Sequence, residues 1–342
     1  VGLYAFNSIS IAFFCSPVIL FFKNKYKYLV FSIFILIFFS FYIFGSYKIN
    51  KDQEMNRSIK KTAYVKVISP NFDMRYIQSE KEIKETIEKI VKYSDPNPKK
   101  ETFFIWPEGI FAGIYFEDLK KFSNVFNNSF SKKHLLIFGI NTQDVFSNEF
   151  YNSLIVTNNN LEIIYKYNKK KLVPFGEFIP FNDLSEKFGL KKITQGYGSF
   201  SKGNKQKNFI LNHLNILPLI CYEIIFPSFI NKNNSTFNFI VNISEDAWFG
   251  DSIGPYQHFK KAIFRSIENN VYTIRSTNRG ISAFIDPNGR ILKSLMPSEV
   301  GNIEIELPIQ KNSKDKPKKS LIFLLLLITF LLTFLILRKL KI

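Results

Sequence analysis

The sequence predicts a layered α/β domain, its sheets covered by helices, carried between apolar segments of membrane length. Three observations predict it. Strand-like and helix-like segments interleave through the middle of the chain, from about residue 46 to 318. Several strand-like runs are apolar on both faces, TFFIW at 102–106 and LNILPLI at 214–220 among them, as strands buried beneath helices are. Three runs outside that region, 1–22, 29–45 and 320–337, carry almost no charge.

The apolar runs come first. A helix needs about 20 apolar residues to cross the hydrocarbon core. The first and third runs meet that length, and the second meets it with some bilayer thinning or help from Tyr42 and the flanking lysines. The unbroken Leu, Ile and Phe of 320–337 leave no polar face for water, which argues against a buried core helix there. Residues 1–22 lack the basic start and small-residue cleavage site of a signal peptide. The chain starts with Val inside an apolar run, so the expectation is the end of a larger membrane bundle. Three parts are predicted: transmembrane helices at 1–45, a catalytic domain at 46–318, and a C-terminal transmembrane helix with a basic tail at 319–342. The lysine-rich loop Lys23–Tyr28 and the tail Arg338-Lys339-Leu340-Lys341 point to the cytoplasmic side, and three crossings then put the domain on the other side.

Within the domain, residues 63–69 (AYVKVIS) alternate like a strand that Pro70-Asn71 ends. Residues 80–93 predict a helix, with Ile83, Ile87, Ile90 and Val91 on one face and Ser79 with Glu82 as a capping box. Strands are predicted at 102–106, 134–140, 150–157, 161–167, 214–220, 237–243, 271–276, 281–285 and 290–294. The pair 150–157 and 161–167 reads as a hairpin across Asn158-Asn159-Asn160, and a helix is predicted over about 255–269.

Charge and cysteine content narrow the function classes. The chain has 46 Lys and Arg against 28 Asp and Glu, a net charge of +18. The lysines are spread along the chain without an aromatic-interleaved stripe, so no nucleic-acid partner is expected. Cys15 and Cys221 are the two cysteines, and only Cys221 lies in the domain. A disulfide within the domain and a cysteine metal cage are thereby excluded. His134, His213 and His258 have no zinc-site spacing, and neither metal nor cofactor is expected.

Reactive residue types stand at three predicted strand ends: Trp106-Pro107-Glu108, Ile220-Cys221-Tyr222-Glu223 and Ile243-Ser244-Glu245-Asp246. Catalytic groups in such folds gather where strands give way to loops. A thiol must lose its proton to attack a carbonyl. No histidine is placed to take it, whereas Glu108, behind an apolar strand, is a candidate base. A lysine from the run Lys169-Lys170-Lys171 turned inward would stabilise an oxyanion, with Glu177 as its ion-pair partner. The run itself does not select one of the three. A lone buried thiol and a solvated strand-end carboxylate are the structural alternatives for Cys221 and Glu108.

Taken together, Ile105-Trp106-Pro107-Glu108-Gly109, the segment Lys169-x-x-Leu172-Val173-Pro174-Phe175-Gly176-Glu177-Phe178-Ile179-Pro180, Ile220-Cys221-Tyr222-Glu223, Asp246-Ala247-Trp248-Phe249-Gly250-Asp251-Ser252, Gly254-Pro255, Gln257-His258-Phe259 and Arg275-Ser276-Thr277-Asn278-Arg279-Gly280 resemble the nitrilase superfamily, and within it the apolipoprotein N-acyltransferase family. The resemblance covers nearly the whole chain. It implies a nitrilase-like α-β-β-α sandwich flanked by transmembrane helices. It further implies Glu108 as general base, Lys169 as oxyanion-stabilising lysine and Cys221 as nucleophile. Glu177 and Glu223 match supporting acidic positions, and the Tyr222 backbone N–H would help the oxyanion hole. Trp248 and Phe249 match a loop at the lipid entrance, simple packing being the alternative. The implied partners are a phospholipid acyl donor, a diacylglyceryl-modified apolipoprotein acceptor and the membrane, with the domain on the periplasmic side of a bacterial inner membrane. A membrane-tethered amidase for small C–N substrates and a non-catalytic membrane scaffold are the competing readings. Two departures stand out: Glu245 occupies a position where the family usually has Asn, and 69–76 lack the family's Gln and Trp, leaving Tyr76 as the aromatic there.

Overall fold

The structure, a computed structural model, describes residues 2–55, 61–179, 199–204, 208–211, 213–231, 236–309 and 319–339. The chain divides into two compact units, 1–58 with 313–342, and 59–312.

The first unit is helical. Helix Leu3–Cys15 tightens into a 3-10 turn, Ser16–Phe21, where Pro17 enters and removes a backbone donor. The first apolar run is therefore not one continuous α-helix. Helix Lys27–Met55 extends well past the apolar run it contains, and Lys319–Lys339 forms the last helix. By length and composition, Leu3–Phe21 and Lys27–Asn50 are apolar enough to cross a membrane, and Leu321–Leu335 is a shorter apolar stretch. Phe13 stacks on Phe38 with ring centroids 5.0 Å apart.

The second unit is built from twelve described strands: β1 (Thr62–Ser69), β2 (Thr102–Ile105), β3 (His134–Asp144), β4 (Glu149–Thr157), β5 (Ile163–Asn168), β6 (Phe209–Leu211), β7 (Leu214–Ile220), β8 (Phe239–Glu245), β9 (Tyr272–Asn278), β10 (Ser282–Ile285), β11 (Ile291–Leu295) and β12 (Gly301–Pro308). They form two six-stranded sheets ordered β12-β1-β2-β3-β4-β5 and β11-β10-β9-β8-β7-β6. The strands β1-β2-β3 and β7-β8-β9 are the parallel centres of the two sheets.

Period-two alternation explains why both faces of the central strands are apolar. Val65, Phe103, Ile105 and Ile137 of the first sheet pack on Ile216, Ile220, Val241 and Ile243 of the second. Their neighbours point outward: Phe104, Trp106 and Phe138 meet Ile83, Ile87 and Ile90 of helix Glu80–Ser94. On the far side Leu217, Leu219 and Ile240 meet Phe259 and Ala262 of helix Gly254–Asn269. The result is the predicted α-β-β-α sandwich. The predicted capping box also forms, with Ser79 accepting from the Glu82 backbone and the Glu82 side chain accepting from Ser79.

Three differences from the sequence reading matter. The strand predicted at 237–243 runs Phe239–Glu245, so Ser244 and Glu245 belong to the ladder, opposite Thr277 and Asn278. Strand β6 was not anticipated. Neither was β12, which pairs antiparallel along the whole of β1, from Thr62 opposite Pro308 to Ser69 opposite Gly301.

Candidate active site

The parallel strands deliver their C-terminal ends to one rim, and the polar residues gather there. Glu108 stands three residues past β2, wedged behind Trp106, whose indole N–H donates to Ser94 Oγ at 2.9 Å. Gly139 on β3 lets this turn settle, because a Cβ there would lie 2.9 Å from Glu108 Cα. Lys169 follows β5 directly, and its side chain is almost wholly buried, whereas Lys170 is half-buried and Lys171 exposed. Of the three candidate lysines, Lys169 turns inward. Its Nζ donates to Glu108 Oε1 at 3.2 Å and to Glu177 Oε1 at 2.8 Å. Asn152 of β4 closes a four-membered ring, its Nδ2 donating to Glu108 Oε1 at 2.6 Å and Glu177 Oε1 at 2.8 Å. Burial alone would strip Lys169 of its proton, but the charges of Glu108 and Glu177 outweigh it and hold the ammonium well above its ordinary pKa.

Cys221 begins a 3-10 turn, Cys221–Ile225, at the end of β7. Its φ of +48° is a left-handed conformation that a side chain disfavours, so surrounding contacts must impose it. Glu223 supplies several. Its carboxylate accepts from the Ile220 N–H at 2.9 Å, the Tyr167 hydroxyl at 2.8 Å, and the Lys170 and Lys171 N–H groups at 2.8 and 3.0 Å. This stitches the lysine turn to the cysteine turn. Burial pushes Glu223 up to about 7 despite those donors. The Cys221 thiol is also pushed up, by burial first and the Glu108 charge second, with Lys169 opposing, so at rest it is a protonated thiol.

Behind Cys221 lies a second polar group. His258 Nε2 is 3.3 Å from the Cys221 carbonyl oxygen, and its Nδ1 faces Asp246 Oδ1 at 3.0 Å. Arg275 Nη2 donates to Asp246 Oδ2 at 2.8 Å, and the Ser244 hydroxyl donates to Oδ1 at 2.7 Å. Burial pushes Asp246 up, but Arg275 and His258 outweigh it and hold the carboxyl at about 2. Burial and the Arg275 charge push His258 down, against the pull of Asp246, and its two ring nitrogens bridge the Asp246 carboxylate and the Cys221 carbonyl. The sequence reading found no role for a histidine here. His258 does reach the cysteine, though through its backbone.

One cavity of about 480 Å³ joins these groups: Glu108, Lys169, Cys221, Asn152, Glu177 and Glu245 line it. Tyr222, Trp248, Phe249, Tyr76 and Met74 complete much of its wall. Trp248 and Phe249 are half-exposed, and Phe249 packs on Gly254, where a Cβ would come within 2.4 Å of its ring. Tyr76 is pushed up to about 12 by burial and by the carboxylates of Glu245 and Glu108. Glu223 alone of the predicted residues lies behind the cavity rather than on it. Asn152 and the Asp246–His258–Arg275 group are additions. Asn152 had a visible signal, an amide side chain at the polar start of the strand run NSLIVT, directly opposite Asn141. Among the described residues no His, Cys, Asp and Glu cluster is arranged to hold a metal.

The chain is 42% identical over 161 residues to apolipoprotein N-acyltransferase of Rickettsia prowazekii, an alignment covering 47% of this chain and 32% of the relative. It is 30% identical over 303 residues to the enzyme of the same name from Allorhizobium ampelinum, covering 86% of this chain and 56% of the relative. The chain thus spans about a third to just over half the length of these curated relatives. Among solved structures, Saccharomyces cerevisiae Nit3, a member of branch 10 of the nitrilase superfamily, superposes with a TM-score of 0.51 at 16% identity, covering 73% of this chain and 91% of Nit3. A carbon-nitrogen hydrolase from Helicobacter pylori superposes with a TM-score of 0.52 at 14% identity, covering 72% of this chain and 89% of its own. The family model for carbon-nitrogen hydrolases matches residues 85–311, which run from inside the first covering helix to just past β12 and take in every residue of the cavity's charged ring. On its sequence and its four-layered fold, the chain belongs to the carbon-nitrogen hydrolase family.

Proposed function

We propose that this chain carries the catalytic part of an apolipoprotein N-acyltransferase, which acylates the α-amino group of the diacylglyceryl-cysteine of bacterial lipoproteins using a membrane phospholipid as donor. The observation that carries this reading is the meeting of Glu108, Lys169 and Cys221, from three separate strand ends, in one cavity whose wall is rich in aromatic and aliphatic side chains. The names of the relatives supply the substrate class.

The reaction runs in two acyl transfers. Glu108 takes the thiol proton as Cys221 Sγ attacks the ester carbonyl of the phospholipid. Lys169 holds the oxyanion, helped by the Tyr222 amide, one of the first-turn N–H groups that a short turn does not pair internally. Collapse expels the lysophospholipid alkoxide, which takes the proton back from Glu108 and leaves a thioester. The lipoprotein amine then attacks the thioester carbonyl, Glu108 accepts the ammonium proton, and Cys221 leaves and is reprotonated as the amide forms. Glu177 balances Lys169 so that the ammonium is fixed without neutralising the base. Trp248 and Phe249 cover the cavity and keep water from the thioester. The apolar helices at 3–21, 27–50 and 321–335 fit a multi-pass protein of the bacterial inner membrane, with the domain on the periplasmic side.

Incubation with phospholipid in detergent micelles, followed by intact-mass analysis, should reveal an acyl adduct on Cys221. A lipopeptide bearing a free diacylglyceryl-cysteine amine should discharge it. Cys221→Ser should do neither, and acyl transfer by that variant would overturn the mechanism. Rapid hydrolysis of small amides with no lipid adduct would replace this reading by an amidase.

A further inference from the structure

Glu245 has no part in the reaction above, yet it lines the cavity and is 2% exposed. Its backbone N–H donates to Glu108 Oε2 at 3.1 Å. Its carboxyl accepts from the Ala247 N–H at 3.0 Å and from Asn278 Nδ2 at 2.8 Å. Asn278 cannot be turned round, because its Oδ1 accepts from the Phe72 N–H at 2.8 Å and its Nδ2 donates to the Phe72 carbonyl at 2.9 Å. The carboxyl lies on the backbone of Gly109, next to the base. A Cβ at Gly109 would stand 2.2 Å from Glu245 Oε2, and the φ of +83° there independently favours glycine.

The groups facing Glu245 are neutral amides or other acids. Glu108 faces it from beyond β2, Tyr76 from the loop after β1, and Asp246 from the turn that follows its own strand. The Lys169 ammonium is already divided between Glu108 and Glu177, while Arg275 and His258 face Asp246. No ion pair to Glu245 forms among the described residues. The two N–H donors favour the charged form, but burial and the surrounding anions outweigh them, so the carboxyl keeps its proton, as one member of a carboxylate pair does. Burial, reinforced by the Glu108 and Asp246 charges, pushes Glu245 up to about 8.

We propose that Glu245 is a positioning residue for Glu108, held as an uncharged carboxylic acid that fixes both the base and the Phe72–Tyr76 wall and keeps a further negative charge out of the cavity. This rests on the reading of Glu108 as the base for Cys221. When Glu245 loses its proton to solvent at alkaline pH, the cavity gains a negative charge that opposes the Cys221 thiolate.

The test is the rate of Cys221 alkylation by iodoacetamide across pH about 6 to about 10, a span bracketing a carboxyl raised this far. Peptide mass spectrometry separates Cys221 from Cys15. For the unmodified protein, the logarithm of the rate should bend below its initial slope near the pH where Glu245 ionises. The ratio of Glu245→Gln to unmodified rates should stay constant below about pH 7 and climb roughly tenfold above it, the size of one pKa unit of coupling between neighbouring charges. Glu245→Asn should show the same climb. A straight profile for the unmodified protein, or a ratio flat across the range, overturns the proposal, since a residue that only packs would lower the rate equally at every pH. If Glu245→Gln fails to fold, the ratio for Glu245→Asn still decides, because Glu223, also raised into this range, bends both profiles alike and leaves the ratio untouched. Alkylation requires no lipid, so an absent phospholipid adduct with a climbing ratio would remove the acyltransferase reading and leave Glu245's role standing.

Discussion

The two sheets treat charge in opposite ways at the rim they share. The first sheet puts its charge into the cavity: Glu108, Lys169 and Glu177, with Asn152 as the uncharged fourth corner, all line it. The second sheet presents an uncharged thiol and hides its charge behind the cysteine's backbone, where Asp246 and Arg275 lie wholly buried and His258, from the covering helix, stands between them and the cavity. The first arrangement fits groups that move protons and meet an oxyanion. The second fits a scaffold whose product is geometry, a cysteine held at φ +48°. A buried ion pair is weak evidence of stability in itself, but removing one partner leaves an uncompensated charge. Both groups should therefore be fragile to single substitutions, and differ in what fails.

The largest effect should follow Lys169→Ala. It strands two carboxylates around one cavity, so denaturant titration should show a loss of about 3–5 kcal/mol. The rate of acyl-adduct formation should fall by about a thousandfold, as for loss of an oxyanion donor. Lys169→Met, which keeps the aliphatic stem, should recover part of the stability and none of the rate. Full rate in either variant would break the contrast between the two groups.

Asp246→Asn comes next. It leaves the Arg275 guanidinium without its anion, at a cost of about 3 kcal/mol. Asp246 also sharpens the comparison through pH. Its folded pKa lies below its ordinary value of 3.8, at about 2. Its stabilisation is therefore complete above about pH 4 and lost as pH falls through about 2, a contribution of about 2 kcal/mol. Acid unfolding of Asp246→Asn should lack that limb, and an unchanged acid profile would show that the pair is not what holds this half together.

The smallest effect should follow His258→Ala. The bridge between the Asp246 carboxylate and the Cys221 carbonyl is lost, worth about 1 kcal/mol. Cys221 alkylation should slow by about tenfold with little change in stability. An equal loss of stability and reactivity would make His258 a packing residue only.

These halves were unequally legible in the sequence. Glu108 and Cys221 stand out because strands buried on both faces leave polar side chains only at their ends. Lys169 does not stand out among three identical neighbours. The strand alternation held a clue, since Tyr167 faces the core and the second residue after it returns to the same side. The resemblance made the selection that the lysine run alone left open. The His258 contact was illegible for a different reason: it ends on a backbone carbonyl 37 residues away, and a carbonyl has no sequence signature. The two-residue shift of β8 has the same root. FNFIVNI and the observed FIVNISE are both apolar enough to be a strand, and pairing with β9 chooses between them.

The long ribbon of β1 and β12 has a mechanical consequence. Thr62 lies opposite Pro308, and the Ile309 N–H donates to the Lys61 carbonyl at 2.9 Å, so the described part of the domain begins and ends at one point. A pull that separates those two ends peels the ribbon open one rung at a time instead of shearing all its hydrogen bonds together. The domain is thus wired as a plug-in cartridge, entered and left through a single two-strand connector, and a chain cut elsewhere and joined across Lys61 and Ile309 by a short linker would keep every other strand neighbour it has now.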